Sequence, residues 1–293
     1  MIEMSHILYI LFLWLVVSYA DFKMTKHNMQ VSFNGLGSIP LVLRGESRQP
    51  MQYRVLIPWL CYLFNRESKK EPPLRTYLHL RWFFILTSLV SSYWYFSVLS
   101  LSALLPVSIL ALFYVWVALY DYTDIYVEIT ILALSFGVIS TQPVFALPAL
   151  AVLAIIGTLN RETTIIVPLA LAFSGMYQDA IIVGVFVASG LYIPRAFYGK
   201  KERYCSFNQT MNNLVEIKKT YAGGPPIVLN EYTIFFISLA ICTTVYCVVG
   251  EMGPIDLAVL LVCVLLIVPA KWREVRVFAP MILSVAPKAA VLL

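Results

Sequence analysis

The sequence predicts an all-α membrane protein, a polytopic transmembrane bundle of about nine or ten spans. It is expected to form one integral membrane domain over residues 1–293. Two observations predict this fold class. The composition is 60% hydrophobic and 13% charged, with a mean hydropathy of +0.80, and the apolar runs approach or reach the ~20 residues that a spanning helix needs. The predicted spans are 5–20, 78–99, 103–120, 126–140, 144–159, 163–175, 179–194, 232–250 and 255–270, with the tail 277–293 as a tenth span or an interfacial segment.

The basic residues are expected to lie on one side of the membrane. If the predicted spans alternate in direction, all 21 Lys and Arg residues belong to one face, which we call the polar face. The opposite face receives the N-terminus and short turns without Lys or Arg. The polar face receives the segments 21–77, 121–125, 160–162, 195–231 and 271–276.

Composition excludes several classes of protein. The net charge of +5 comes from basic residues interleaved with acids beside the spans, so no nucleic-acid partner is expected. Membrane lipids are the expected partners. The long polar loops contain too few apolar residues for a separate soluble core. The five cysteines lack metal-binding spacing. The first 20 residues have no Lys or Arg before the apolar run, which favours a retained span over a cleaved signal peptide.

The first long loop, 21–77, is expected to carry interfacial helices. Its segment 53–64 is apolar but shorter than the ~17 residues needed to span. Tyr53, Trp59 and Tyr62 suit the headgroup region. The alternative is a short true span, which would invert the sidedness of everything that follows. A basic stretch that ends at Arg81 comes next, and it is interpreted as a solvated flank or a contact for anionic headgroups.

A group of carboxylates opens the fourth predicted span. Asp124 and Glu128 are four residues apart and share a helix face with Asp121. Oxygen ligands suit a hard divalent cation, so these three residues are predicted to hold Mg²⁺ or Mn²⁺. The alternative is an ion pair with Arg161 or Arg273.

Two further polar corners are expected on the same face. Arg161, with its planar fork, is predicted to bind phosphate or carboxylate, and Glu162 favours the start of the next helix. Asn160 and Thr163 are candidate N-caps.

Lys271-Trp272-Arg273-Glu274-Val275-Arg276 ends the ninth predicted span. Arg273 and Arg276 are three residues apart, a spacing that lets them clamp one anion, and the alternative is a snorkelling flank.

These motifs resemble bacterial polytopic proteins of the type-C glycosyltransferase superfamily. The likeness rests on the Asp motif at 121–128, the helical hairpin that follows it, and the Asn160-Arg161-Glu162-Thr163-Thr164 corner. The strings Tyr53-Arg54-Val55-Leu56-Ile57-Pro58-Trp59 and Arg273-Glu274-Val275-Arg276-Val277-Phe278-Ala279-Pro280 look like further marks of that group.

The resemblance implies sugar transfer from a polyprenyl-phosphate donor at the membrane surface, in the plasma (inner) membrane. It places the catalytic acid at Asp21, although Phe22 follows where the family has a second acid. Asp121 is the other candidate base. The phosphate-binding candidates are Arg54, Arg161, Glu162, Arg273 and Arg276. The superfamily places its active face outside the cell, whereas the positive-inside rule makes this polar face cytoplasmic, so sidedness stays open.

Two other functions compete with this one. Asp121, Asp124 and Glu128 resemble half of the acidic diphosphate–Mg²⁺ signature of membrane-embedded prenyltransferases. A non-enzymatic membrane subunit or carrier, in which the polar corners only pack loops, is the third candidate. It predicts tolerance of substitution at Arg161 and Asp121.

Overall fold

The computed structural model describes residues 3–28, 42–44, 55–64, 74–99, 102–117, 123–199, 240, 244–246, 248–249, 252–267 and 279–292. All regular structure in these residues is helical. Four of the predicted site residues lie outside them: Arg54, Asp121, Arg273 and Arg276.

The helices are numbered here in chain order over the described residues. They are α1 (Met4–Asn28), α2 (Leu56–Phe64), α3 (Leu74–Val98), α4 (Leu104–Val117), α5 (Thr123–Thr141), α6 (Ala146–Asn160), a 3₁₀ turn (Glu162–Ile165), α7 (Ile166–Phe173), α8 (Tyr177–Tyr198), α9 (Pro254–Ile267) and α10 (Met281–Leu292). Buried side chains from α1, α3 to α10 form one apolar core.

Three helical segments in the described residues are long and apolar enough to cross a membrane: Met4–Lys23, Thr123–Thr141 and Tyr177–Tyr198. Helix α3 has 25 residues but is not one of these three, and five further apolar segments in the part of the chain that the structure describes have only 10–17 residues. The predicted span 163–175 is not one long helix, because the 3₁₀ turn of four residues leads into α7, which has eight. At 2.0 and 1.5 Å per residue, the two together are about 20 Å long, less than the ~30 Å of a bilayer core.

Contacts between helices fix their relative directions. α1 is antiparallel to α3, because His6 Nδ1 lies 2.7 Å from the Tyr93 hydroxyl at one end while Asp21 contacts Arg81 at the other. α5 is parallel to α3, since Arg81 contacts Thr123 at the start of α5 and, further along both helices, Thr87 Oγ1 lies 3.3 Å from Thr130 Oγ1. The ends that carry Asp21 and Arg81 therefore coincide with the start of α5. We call this end of the bundle the polar end.

One basic residue lies at the opposite end, which corrects the expectation that all Lys and Arg share a face. Lys288 Nζ lies 3.0 Å from Asp256 Oδ2. The Asp256 carboxylate is within electrostatic range of Tyr95, which is 14 positions after Arg81 in α3, or about 21 Å along the helix. The C-terminal segment therefore places the Lys288 cation at the end of the bundle opposite the polar end, where Asp256 at the start of α9 pairs with it.

Helix α2 packs at the polar end. Its nine residues extend about 13.5 Å, too short to span. Ile57 and Cys61 are buried in an apolar cluster with Tyr77 and Val127. The indole of Trp59 donates to the Tyr198 hydroxyl at 3.2 Å. These partners lie near the polar-end termini of α3, α5 and α8, and the interfacial placement of this segment stays a prediction.

Candidate functional site

The first ionic centre joins Asp21 and Arg81. Arg81 Nε donates to Asp21 Oδ2 at 2.9 Å, and its Nη2 donates to Asp21 Oδ1. Both side chains are 0% exposed. A planar guanidinium suits this two-pronged contact with a carboxylate. Arg81 is therefore not the solvated or headgroup-binding residue that its place in a basic stretch predicted, because α3 turns it into the core.

Hydroxyl groups complete the first centre. The Tyr126 hydroxyl donates to Asp21 Oδ1 at 3.1 Å. Arg81 Nη1 donates to the Tyr77 hydroxyl and to Thr123 Oγ1, each at 3.2 Å. The rings of Tyr77 and Tyr126 also lie 5.5 and 5.7 Å from the guanidinium carbon, within cation–π range. Removing charges from water is expensive, and these contacts offset part of that cost.

The second ionic centre joins α5 to the corner after α6. Arg161 Nη1 donates to Glu128 Oε2, and Thr163 Oγ1 donates to Glu128 Oε1. Arg161 Nε lies 3.7 Å from Asp124 Oδ2. The Asn160 amide donates to the Asp124 backbone carbonyl at 2.8 Å. The Arg161 guanidinium therefore forms ion pairs with both carboxylates, those of Asp124 and Glu128.

The corner owes its shape to a break in helical geometry at Arg161. That residue is extended, with φ −154° and ψ 148°, and its N–H still bonds the Gly157 carbonyl at 2.7 Å. Gly157 is required here, because a Cβ would fall within 2.6 Å of Thr164 Oγ1. The predicted N-cap roles of Asn160 and Thr163 are wrong, since Arg161 occupies the N-cap position without a side-chain cap and both side chains bond to α5 instead.

The two centres lie on opposite faces of α5 at one level. Successive residues of an α-helix are about 100° apart, so Thr123 and Tyr126 point about 150° away from Asp124 and Glu128. The first pair faces α1 and α3, and the second faces the α6 corner. Helix α5 therefore carries both centres within its first two turns.

The charge balance bears on the predicted metal. At the polar end, the described buried or half-buried groups are four carboxylates (Asp21, Asp124, Glu128, Glu162) and two guanidinium groups (Arg81, Arg161). No group of three or more metal-ligand side chains occurs among the residues that the structure describes. One oxygen of Asp124 and one of Glu128 face Arg161, and the other oxygen of Glu128 accepts from Thr163. The three-carboxylate site stays a prediction, because it also requires Asp121.

The structure thus brings together Asp21, Asp124, Glu128 and Arg161 from the predicted set at the polar end. Glu162 follows Arg161 in the 3₁₀ turn and is half-buried. The residue that sequence reasoning missed is Arg81. A signal was available: Arg81 falls three residues inside the apolar run 78–99, where an ionisable side chain is expensive and needs a partner.

Comparison of the chain with protein-family models, curated proteins and solved structures finds no match.

Proposed function

We propose that the chain is a multi-pass integral membrane protein of about nine or ten spans that transfers a sugar from a polyprenyl-phosphate donor at its polar end. The plasma (inner) membrane is its proposed location. The observation that carries this proposal is the convergence of buried ionisable side chains at one end of the bundle. Charged residues inside a membrane protein are costly and commonly mark substrate or proton sites. The motif resemblance supplies the reaction class.

In this proposal Asp21 acts as the base. A carboxylate near the acceptor hydroxyl takes or orients its proton while the sugar moves to that oxygen. An ionised carboxylate has about four lone-pair sites, and the described contacts from Arg81 and Tyr126 use three of them. Arg81 also holds the Asp21 side chain in place through its two-pronged contact.

Cationic groups are needed for the departing phosphate. Arg161 is engaged by Glu128 and Asp124, so we assign it the role of holding the corner in place. Arg54, Arg273 and Arg276 remain the proposed phosphate ligands, and all three lie outside the described residues.

Turnover of a defined donor by the purified protein tests the proposal. The full chain is reconstituted in vesicles with a polyprenyl-phosphate sugar, and the released polyprenyl phosphate is measured. Asp21→Asn is expected to slow turnover by about 10²- to 10⁴-fold, the usual contribution of a general base. Asp179→Asn is the matched control, because Asp179 lies in the first turn of α8, at the end away from Asp21. Full activity of Asp21→Asn, or wild-type protein that turns over none of a panel of such donors, contradicts the proposal.

A non-enzymatic membrane subunit or carrier is the second candidate. The observation that favours it is that both buried guanidinium groups described at the polar end, those of Arg81 and Arg161, already contact carboxylates of the same chain. In that case the wild-type protein consumes no lipid-phosphate sugar, whatever the effect of Asp21→Asn on stability. Adding Mg²⁺ and a prenyl diphosphate to the same assay distinguishes the membrane-embedded prenyltransferase, whose acidic motif needs a metal.

A further inference from the structure

A stripe of buried polar side chains follows one face of α3 from the polar end towards the opposite end. Tyr77, Arg81, Ser88, Ser92 and Tyr95 fall within an arc of about 60° around the helix. None of them is more than 3% exposed. The 14 positions from Arg81 to Tyr95 cover about 21 Å, roughly two-thirds of the ~30 Å apolar thickness of a bilayer.

Aromatic hydroxyls from neighbouring helices extend this stripe to the first ionic centre. The Tyr126 hydroxyl bonds Asp21. The Tyr126 ring stands perpendicular to that of Tyr114 in α4, with centroids 4.9 Å apart, and the Tyr114 hydroxyl faces Ser88. The hydroxyl lane is the name we give to Tyr126, Tyr114, Ser88, Ser92 and Tyr95.

Two members of the lane are hydroxyls that need a further partner. Ser92 Oγ has no hydrogen-bond partner among the described residues, and the Tyr114 hydroxyl has none of good geometry although Ser88 lies beside it. Both side chains are 0% exposed. A buried hydroxyl without a partner is expensive. Buried water usually satisfies such groups and makes about three hydrogen bonds. Ser88 donates to the Ile85 carbonyl at 2.8 Å, which leaves its oxygen able to accept.

An ion pair lies at each end of the lane, fully buried at the polar end and half-buried at the opposite end. Asp21 and Arg81 mark the polar end. At the opposite end, Asp256 contacts Lys288 and accepts a hydrogen bond from Ser284 Oγ, and its charge reaches Tyr95. Ionisable side chains inside membrane proteins commonly form proton relays.

We propose that the hydroxyl lane holds a chain of water molecules and conducts protons between the Asp21–Arg81 pair and the Asp256–Lys288 pair. Each hydroxyl or water accepts one proton and passes one on, so no member gains or loses a proton in a transfer. The hydroxyls and waters then rotate back to their starting donor–acceptor direction before the next one. Besides the two pairs, the charge of Glu128, on the other face of α5, lies within electrostatic range of Tyr114, and Arg161 pairs with it. This activity does not depend on sugar transfer.

Proton flux into vesicles tests the proposal. The purified full chain is reconstituted in liposomes that contain a pH-sensitive dye, and a potassium diffusion potential drives protons inward. We expect flux above that of protein-free vesicles. Tyr114→Phe keeps the ring and removes the hydroxyl, and Ser92→Ala removes the other orphan hydroxyl. Each is expected to lower the flux about tenfold, the factor that corresponds to one lost hydrogen bond.

Matched variants outside the lane separate this effect from general damage. Tyr192→Phe and Ser189→Ala change the same residue types on exposed positions of α8, and both should conduct as the wild type does. Wild-type flux equal to that of protein-free vesicles overturns the proposal. So does wild-type flux that survives in both Tyr114→Phe and Ser92→Ala. Where one variant does not reconstitute, Ser88→Ala takes its place.

Discussion

Replacing Asp21 with Asn is expected to destabilise the folded protein severely, because it leaves the Arg81 guanidinium charged and buried. The amide keeps the shape of the carboxylate and loses its charge. Two hydrogen bonds from Arg81 and one from Tyr126 end on this carboxylate, and both charged side chains are 0% exposed. No solvent therefore screens the charge that remains.

The size of the expected loss of stability depends on whether one or both partners of the Asp21–Arg81 ion pair are replaced. Breaking a buried ion pair by removing one partner costs about 3–5 kcal/mol, whereas replacing both partners with apolar residues of similar volume is often neutral. Hydrogen bonds to charged groups contribute about 1.5–3 kcal/mol each, and two such bonds give about 3–6 kcal/mol, which covers that range. We expect Asp21→Asn, Asp21→Leu and Arg81→Met each to lose about 3–5 kcal/mol. The double variant Asp21→Leu/Arg81→Met is expected to lose at least about 3 kcal/mol less than the sum of the losses of Asp21→Leu and Arg81→Met.

The assay is reversible unfolding of the purified protein in mixed detergent micelles, followed by helical circular dichroism. Glu3→Gln is the control, since the Glu3 side chain is 75% exposed and its change should leave the unfolding midpoint where it was. Additive losses in the single and double variants would refute the reasoning, because they would mean that Asp21 and Arg81 do not interact in the folded protein.

Three further changes have defined outcomes. Gly190→Ala should destabilise the fold by about 1–3 kcal/mol, because a Cβ at this position overlaps Thr158. Gly184→Ala, on the same helix, is the control: its Cβ meets nothing within 4 Å, so it should be neutral or slightly stabilising. Chemical denaturation measures both changes. Arg161→Lys keeps the charge but loses the planar fork, so its unfolding free energy should fall by about 1.5–3 kcal/mol; an unchanged value would mean that the fork is not used. Burial raises the pKa of the Cys61 thiol to about 12, and the reactive form is the thiolate. In a variant that keeps Cys61 as its one cysteine, maleimide labelling should therefore be slow at pH 7 and still rise with pH above about 10. A plateau by about pH 10 would show an ordinary, accessible thiol.

The sequence by itself determined the helical class and the positions of most helices. Long apolar runs need internally bonded backbone, which in a bilayer means helices or closed barrels, and the runs near 5–20, 126–140 and 179–194 match the three helices long enough to span. Parity along the chain also placed the Asp124 and Arg161 corners at one end, and the two do contact one another. The spacing of apolar and charged residues along the sequence was enough to predict these features.

The ion pairs of Arg161 with Asp124 and Glu128 were among the alternatives predicted from the sequence, and the structure confirms them. Tertiary structure alone decided the pairing of Asp21 with Arg81 and of Asp256 with Lys288. Arg81 and Asp21 are 60 residues apart. The local sequence around a basic residue beside a loop is the same whether α3 turns that residue outward or into the core. The same holds for Lys288, whose partner Asp256 lies 32 positions earlier. Pairing depends on helix rotation and on which helices pack together, and neither is encoded in local apolar pattern. The physical reason is energetic: a buried charge is tolerated only where another helix brings an opposite charge within about 4 Å, and the sequence does not show which helix that is.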